Sequence, residues 1–229
     1  YYTSQSEIKN DDSLRQCQEE WKKCYDKIPQ LPFSNIWMAK EMSPMIPHDS
    51  VMHFGILNSL RAWNFFLLDD SIDTSCNVGG FGIDGGLSTL LGSSLATKDR
   101  LHFGIFGDLA FFYDMNSLGN RHVGNNLRIM LVNNAKGSEF KLYSHPASKL
   151  GSEADEYIAA ARHYGNKSPQ LVKHYSEDLG FQYLSASCKE EFLEVYPKFL
   201  VKQSDRPIRF EVFTNSEDEN KALFSINNI

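Results

Sequence analysis

The sequence lacks long hydrophobic runs, cysteine pairs and an excess of positive charge. No apolar stretch approaches the roughly 18 residues that a membrane-spanning helix needs. The four cysteines are scattered without a C-x-x-C pair, which is typical of reduced thiols in a cytoplasmic protein. The net charge of −6 shows no excess of basic residues of the kind that binds nucleic acid. We therefore expect a cytoplasmic protein that binds neither membrane nor nucleic acid.

The composition is that of an ordinary globular protein. Of the 229 residues, 41% are hydrophobic and 13% aromatic, so wholesale disorder and coiled coil are excluded. The length predicts one large domain, or one domain with an appendage. Because the chain starts at Tyr1 rather than Met, we expect it to be part of a longer protein.

The first 47 residues differ from the rest in their sequence pattern. Residues 13–28 have apolar side chains at helical spacing, and 33–47 form a second predicted helix that stops near Pro47. Nothing in residues 1–47 suggests a binding site. We interpret them as a linker with lead-in helices from a preceding domain, followed by a ligand-binding domain at 48–229.

From residue 50 onwards, short apolar runs alternate with stretches of helix length. The predicted strands are Val51–Ile56, Asp73–Val78, Leu101–Phe106, Arg128–Val132, Phe181–Leu184 and Ile208–Phe213. The predicted helices are 59–68, 86–97, 109–120, 151–164, 168–179 and 187–200, and 216–220 is a turn or helix start. This alternation predicts an α/β fold of three layers, α/β/α, around a mostly parallel sheet of about six strands.

Ligands of such sheets bind where strands end and the next helices begin. The first notable turn, at 76–86, places Gly80, Gly82 and Gly85 in a G-x-G-x-x-G pattern between a strand and a helix. That pattern is the dinucleotide fingerprint, and Asp108 is a loose match for its acidic residue. A simple glycine-rich turn remains an alternative at this point.

The second turn ends a buried strand in Gly107-Asp108, directly before a helix. The Asp108 carboxylate could face a ligand, and the amides of Leu109 and Ala110 could receive an anion. Asp108 could equally serve as the N-cap of the helix.

The third turn follows the strand that ends in Asn133-Asn134 and contains Gly137. Asparagine oxygens suit a hard divalent cation, although asparagines are also common in turns. Taken together, Gly107-Asp108 and Asn133-Asn134 supply one carboxylate and one amide at what we expect to be adjacent strand ends. The pair predicts a magnesium ion that holds a diphosphate, which would let an acidic protein bind this anion.

These strings resemble the thiamine-diphosphate-dependent enzymes. Gly107-Asp108, followed after 24 intervening residues by Asn133-Asn134, is similar to the GDG…NN motif that binds the cofactor. The third glycine is replaced by Leu109. With GIDGGLSTLLG at 82–92 and FGDLAFFYDMNSL at 106–118, the closest resemblance is to one branch. That branch is the 2-succinyl-5-enolpyruvyl-6-hydroxy-3-cyclohexene-1-carboxylate (SEPHCHC) synthases of the menaquinone pathway.

The resemblance covers about residues 50–220 and implies a role for individual residues. Asp108, Asn134 and the backbone carbonyl of Lys136 fall on the ligands of Mg²⁺ or Mn²⁺. Other positions fall on the thiamine-diphosphate site: Gly107, Leu109, Ala110 and Gly137 at the diphosphate, Gly82 and Ile83 on the segment that bends the cofactor, and Asn58 with Ser59 at a strand end. Under this interpretation the glycine-rich turn is part of the thiamine motif.

The resemblance also implies an activity and a partner. Its members decarboxylate a 2-oxo acid and join the product to an acceptor, and the cofactor carries the chemistry. The activating glutamate lies on a pyrimidine-binding domain supplied by a partner subunit. No segment here resembles that domain, so we expect no catalytic residue in this chain. The complete protein is expected to be a homodimer or homotetramer, and this chain alone is expected to be inactive.

Three departures concern the acceptor. Two arginines of the branch, which grip substrate carboxylates, are replaced by Trp63 and Val78, and an apolar position is occupied by Glu139. Arg61 is near in sequence, but we expect it to point elsewhere on its helix. Use of isochorismate as acceptor is therefore in doubt. Two alternatives stay open: a non-catalytic partner domain of the same fold, and a nicotinamide-dependent dehydrogenase.

Overall fold

The computed structural model describes residues 11–80, 82–161 and 168–229. Its centre is a sheet of strands Val51–Phe54 (β1), Asp73–Cys76 (β2), His102–Gly107 (β3), Leu127–Asn133 (β4), Gln182–Ala186 (β5) and Ile208–Phe213 (β6). All neighbouring strands are parallel, in the order β2-β1-β3-β4-β6-β5. The predicted six-stranded parallel sheet is confirmed, and β3 lies next to β4 as expected.

Helices cover both faces of this sheet. They are Asp11–Asp26 (α1), Asn35–Met42 (α2), Asn58–Trp63 (α3), Gly86–Ala96 (α4), Asp108–Asp114 (α5), Ser152–Tyr157 (α6), Leu171–Asp178 (α7), Lys189–Phe199 (α8) and Ser216–Ile226 (α9). Short 3-10 helices lie at Ser43–Met45, Met115–Gly119, Ser138–Lys141 and Pro146–Leu150. In the described parts of the chain, no helix is both long and apolar enough to cross a membrane.

Alternating side chains of the strands divide the core into two halves. In β4, Met130 and Val132 pack on one face with α2, α3, α8 and α9. Leu127, Ile129 and Leu131 pack on the other face with α4, α5 and α7. Because both faces are covered, β4 is buried along its whole length. This explains why its residues 129–132 are continuously apolar rather than alternating.

Residues 31–46 pack into the first of these halves. Trp37, Met38 and Met42 of α2 are buried with strand residues, and Ser34 caps the helix by accepting from the amide of Trp37 at 3.2 Å. By contrast, Leu14 of α1 is 60% exposed. A domain boundary near residue 47 stays a prediction, and α2 shares the core of the sheet domain.

Several elements differ in length from those predicted. β1 stops at Phe54 because the carbonyl of Gly55 accepts from the amide of Leu60 at 3.0 Å and turns the chain into α3. That helix ends at Trp63, five residues earlier than expected. The predicted helix at 151–164 is α6, which ends at Tyr157, and residues 162–164 lie outside the described part.

The largest difference is α9, for which only a turn or helix start was predicted. Asn215 caps this helix by accepting from the amide of Asp218 at 2.8 Å. Ala222, Leu223 and Ile226 then bury its apolar face. The acidic first turn concealed this helix, although negative charge there stabilises a helix N-terminus.

A carboxylate of α5 holds the start of α4. Both oxygens of the buried Asp114 accept from Ser88, one from its amide and one from its hydroxyl, each at 2.6 Å. We expect Asp114→Ala to lower the free energy of unfolding by about 1.5–3 kcal/mol, because two bonds to a charged acceptor are lost. Denaturant unfolding measures this loss. The exposed Glu194→Ala is the control and should change stability by less than about 0.5 kcal/mol; equal effects would contradict this role of Asp114.

Candidate functional site

A cavity of about 160 Å³ lies at the carboxyl ends of the strands. From β1 the chain proceeds outward to β2, whereas from β3 it proceeds the other way to β4, so the strand order reverses between β1 and β3. The turns after these two strands diverge, and the loop after β4 closes the space between them. In open parallel sheets this reversal is the usual ligand site.

The cavity collects nearly all of the residues that the sequence singled out. Its lining includes Asn58, Ser59, Ile83, Gly107, Asp108, Leu109, Ala110, Asn134, Lys136 and Gly137. Gly82 lies in the adjoining pocket, which shares Ile83 with the cavity. The fold thus brings the three predicted turns together, and the role of each residue stays a prediction.

Asp108 sits at the end of β3 and is the first residue of α5. It is 3% exposed. Its Oδ1 accepts from the amide of Leu109 at 2.7 Å, whereas Oδ2 is buried with no hydrogen-bond partner among the described residues. Burial raises the pKa of Asp108 to about 7, against the lowering effect of backbone amides at Leu109 and at 134–136. Oδ2 is therefore the oxygen of Asp108 that is left for a further ligand such as a cation.

Asn134 presents a second oxygen without a partner. Its Nδ2 donates to the hydroxyl of Ser138 at 3.1 Å, which turns the amide so that Oδ1 is buried and unpaired within the described chain. Buried polar atoms are normally satisfied. Two unpaired oxygens in one cavity, beside the backbone of Lys136, therefore fit a hard cation that prefers oxygen ligands.

The neighbouring Asn133 has a different environment. Its Nδ2 donates to Oε1 of the buried Glu211 at 2.7 Å. The described residues contain no group of three or more His, Cys, Asp or Glu side chains suited to a metal. A metal site at this cavity would therefore have oxygen ligands: one carboxylate, one side-chain amide and one backbone carbonyl.

The glycine-rich turn is not placed as a dinucleotide site requires. It follows β2, an edge strand, and not a strand at the reversal of the sheet. Gly85 adopts a φ of 75°, which glycine allows without strain, and α4 begins after it. Ile83 reaches both the cavity and the adjoining pocket. The turn therefore serves the same cavity as Asp108 rather than a separate nucleotide site.

The rim of the cavity carries a polar network that includes Arg61. Asn58 donates from Nδ2 to the hydroxyl of Ser138 at 2.9 Å and accepts from Arg61 at 3.0 Å. The guanidinium of Arg61 also pairs with Glu139 at 2.8 Å. Arg61 itself lines a neighbouring pocket and not the cavity, so its orientation away from an acceptor stays a prediction. Its i, i+3 spacing from Asn58 on α3 puts both residues on one face.

Trp63 and Val78 lie away from this cavity. Trp63 is 2% exposed and packs on Phe54 with ring centroids 5.6 Å apart. Together with Val78 it lines a separate groove beside β2. The two positions at which the resemblance implies arginine are therefore apolar in this chain and lie outside the Asp108 cavity.

Sequence reasoning missed the far wall of the cavity. Asn35 and Glu219 line it from α2 and α9. Both carboxylate oxygens of Glu219 accept from the backbone N–H of Asn35, at 3.0 and 3.2 Å. Burial raises the pKa of Glu219 to about 7. These residues are 184 positions apart, and no local motif connects them.

Two residues at the cavity have strained backbones. Leu57, directly before α3, has φ 67° and ψ −118°, and Ala135 has φ 70°. Positive φ is costly for residues with a Cβ atom and concentrates at functional sites. The two turns that carry Asn58 and Asn134 are thus held in geometries that the rest of the fold must impose.

Comparisons with known proteins agree with this geometry. No protein-family model matches the chain. SEPHCHC synthases are similar to it, with 31% identity over 196 residues in the protein of Bacteroides fragilis and 33% over 197 in that of Phocaeicola vulgatus. These alignments cover 85% and 86% of the chain and 34% of each relative. The chain therefore spans about a third of the length of the curated relatives it matches.

A solved structure shares the fold. It is the thiamine diphosphate-dependent 4-hydroxybenzoylformate decarboxylase of Rhodococcus jostii RHA1, with a TM-score of 0.61 and 17% identity, covering 82% of this chain and 33% of that one. The resemblance to thiamine-diphosphate enzymes, and to SEPHCHC synthases among them, is confirmed.

The strain at Leu57 gives a stability test. Glycine normally destabilises a protein relative to alanine, but at this φ alanine retains the strain and glycine relieves it. We expect Leu57→Gly to be more stable than Leu57→Ala by about 1 kcal/mol in denaturant unfolding. In the control, Ala62→Gly inside α3 should lose about 1 kcal/mol. A Leu57→Gly protein less stable than Leu57→Ala would show that the turn is relaxed.

Proposed function

We propose that this chain is the diphosphate-binding domain of a thiamine-diphosphate-dependent 2-oxo acid decarboxylase and carboligase similar to SEPHCHC synthases. One observation carries the proposal. The side-chain oxygens of Asp108 and Asn134, singled out by the motif, are both buried and unpaired in one cavity of the described chain. Leaving such groups without partners costs free energy, and a bound cation would remove this cost.

The proposed metal is Mg²⁺, with Mn²⁺ as a substitute. Asp108 Oδ2, Asn134 Oδ1 and the carbonyl of Lys136 would be its protein ligands, and diphosphate oxygens would occupy other positions. The cation would keep Asp108 ionised in spite of its burial. It would also compensate the negative charge of the diphosphate, which a chain of net charge −6 does not otherwise attract.

The remaining cavity residues would position the cofactor. Gly107 has no atom within 4 Å of where a Cβ would lie, so its backbone is open to the cavity. A Cβ on Gly137 would come within 3.2 Å of Leu109 and 3.3 Å of the Ala159 carbonyl, so this position favours glycine. The other lining residues would add apolar surface or contact diphosphate and substrate; they are Ala110, Ile83, Asn58 and Ser59.

One predicted contact differs in this structure. The amide of Leu109, expected at the diphosphate, donates to Oδ1 of Asp108. That bond orients the carboxylate so that Oδ2 is the oxygen left for a cation. We therefore assign Leu109 a role in aiming Asp108 as well as in lining the site.

When bound, thiamine diphosphate supplies the carbon nucleophile for decarboxylation and carbon–carbon bond formation. The chain's own residues would hold the metal, seat the diphosphate and shape the cavity. No catalytic residue is assigned to this chain. The activating glutamate is proposed to come from a pyrimidine-binding domain of a partner subunit, in a homodimer or homotetramer. We also propose a cytoplasmic location, since all four cysteines are free.

The donor is proposed to be a 2-oxo acid, whereas the acceptor differs from that of the relatives. Arg61 is neutralised by Glu139, and Trp63 is committed to the core. Neither position therefore offers a free guanidinium that could bind an acceptor carboxylate.

A non-catalytic domain of the same fold is the second candidate, favoured by the same changes at Trp63, Val78 and Glu139. Turnover of any 2-oxo acid by the complete protein would exclude it. The nicotinamide-dependent dehydrogenase is the least supported alternative, because the glycine-rich turn follows an edge strand. Thiochrome fluorescence against NADH absorbance of the bound cofactor distinguishes the dehydrogenase from the favoured function.

The metal assignment gives the central test. In the complete protein, Asp108→Ala should abolish Mg²⁺-dependent binding of thiamine diphosphate, because the charged ligand is lost, while folding stays intact. Calorimetric titration with Mg²⁺ present measures the affinity, and thermal unfolding checks the fold. Asp99→Ala, which removes an exposed acid elsewhere, should bind like the wild type. Equal affinities of wild type and Asp108→Ala would place the metal elsewhere.

The acceptor assignment gives a second test. The complete protein should decarboxylate a 2-oxo acid but add its product to isochorismate poorly. Each lost charge-assisted contact to a carboxylate typically costs about 1.5–3 kcal/mol. Decarboxylation and adduct formation are measured separately, with a SEPHCHC synthase from Bacteroides fragilis as the reference. Adduct formation at the rate of that reference would refute the divergence.

A further inference from the structure

We propose that Asn133 and Glu211 are positioning residues that hold the loop carrying Asn134 and Lys136 in the geometry that binds the metal. The proposal rests on the proposed function for the identity of the ligand. Neither residue was assigned a role by the motif, and neither lines the cavity. Their effect must therefore pass through the loop at 134–136.

The first link is a buried carboxylate between three strands. Glu211 on β6 is 1% exposed and Asn133 at the end of β4 is 7% exposed. Oε1 of Glu211 accepts from Nδ2 of Asn133, and Oε2 accepts from the hydroxyl of Tyr183 on β5, both at 2.7 Å. Each oxygen thus has a donor from a neighbouring strand.

This carboxylate sets the orientation of the Asn133 amide. Because a carboxylate accepts hydrogen bonds and does not donate them, it requires the NH₂ group of Asn133 to face it. Oδ1 of Asn133 must then face the opposite way. There it accepts from the amide of Ala135 at 3.2 Å, which is the asparagine turn over two residues that is common in loops.

The second link is the strained residue that this bond holds. Ala135 has φ 70°, and the proposed ligands Asn134 and Lys136 are its immediate neighbours. A residue with a Cβ atom keeps such a backbone only when its surroundings impose it. Because Ala135 has φ 70°, the side chain of Asn134 and the carbonyl of Lys136 belong to one turn. This turn and Asp108 line the same cavity.

A buried arginine completes the arrangement. Arg209 lies two residues before Glu211 on β6, on the same face, and is completely buried. Its guanidinium lies 4.4 Å from the ring centre of Phe111 and 5.0 Å from that of Phe181, and these rings partly stabilise its positive charge. Burial raises the pKa of Glu211, and the charge of Arg209 acts against that rise. The positive charge of Arg209 thus lies on the same face of β6 as the carboxylate whose oxygens accept from Asn133 and Tyr183.

The test measures metal binding rather than turnover. Electron paramagnetic resonance of Mn²⁺ is recorded on the complete protein with saturating thiamine diphosphate, since bound and free Mn²⁺ give different signals. Asn133→Ala should weaken Mn²⁺ binding at least tenfold, although it leaves Asp108, Asn134 and Lys136 in place. Leu131→Val, on the same strand and face, is the control for lost packing and should change binding less than twofold.

A second set of variants, built on Ala135→Gly, distinguishes an effect on the turn from a general loss of stability. The glycine introduced by Ala135→Gly adopts the positive φ without strain, so the turn no longer needs Asn133. Adding Asn133→Ala to Ala135→Gly should then weaken Mn²⁺ binding less than threefold. If Asn133→Ala does not fold, Asn133→Ser replaces it in both backgrounds, and its effect should again be smaller with Ala135→Gly.

The outcomes separate this inference from the proposed function. If Asp108→Ala abolishes Mn²⁺ binding but Asn133→Ala does not weaken it, the positioning role is wrong and the metal site stands. The role is also wrong if Leu131→Val weakens binding as much as Asn133→Ala, or if the Asn133 effect is the same in both backgrounds. If Asp108→Ala binds Mn²⁺ like the wild type, the metal site itself is wrong, and this inference with it.

Discussion

The parallel pairing of β3 with β1 on one side and β4 on the other determines where every polar group of the cavity lies. In this register Gly107 at the end of β3 lies opposite Val132, so Asp108 and the Asn133-Asn134 segment leave the sheet side by side. On its other side β3 pairs with β1, and the chain after β1 turns away toward an edge strand. The space between these diverging turns is the cavity.

Two kinds of buried polar group meet at this edge of the sheet, and they have opposite energetic situations. Glu211 and Asn133 satisfy each other within the fold, so they stabilise one arrangement of the loop. Asp108 Oδ2 and Asn134 Oδ1 lack partners in the described chain, so burial there has a cost. The Glu211–Asn133 pair therefore stabilises the loop without a ligand. The oxygens of Asp108 and Asn134 need a ligand to be satisfied.

Backbone strain follows the same division. Leu57 and Ala135 keep unfavourable φ values, and each lies next to an asparagine that lines the cavity. The burial of β1 and β4 along their whole lengths supplies the free energy that keeps these turns from relaxing. The rim is less constrained: Arg61 and Glu139 form a partly exposed ion pair, and such pairs contribute little to stability. This is the part of the site where the sequence predicts a difference from SEPHCHC synthases.

The sequence by itself determined the fold class, the order of elements and the three turns of the site. Apolar strands alternating with helices require a covered parallel sheet, and parallel strands bring their carboxyl ends to one edge. Local patterns carried no information on Glu219, Asn35 or Glu211, which reach the site or its support across the sheet. They also could not place Arg61, or show that Asn133 bonds to Glu211. Those features depend on which side chain turns into the cavity and which into the core, and only the tertiary structure decided that, because strand register and packing set the direction of each side chain.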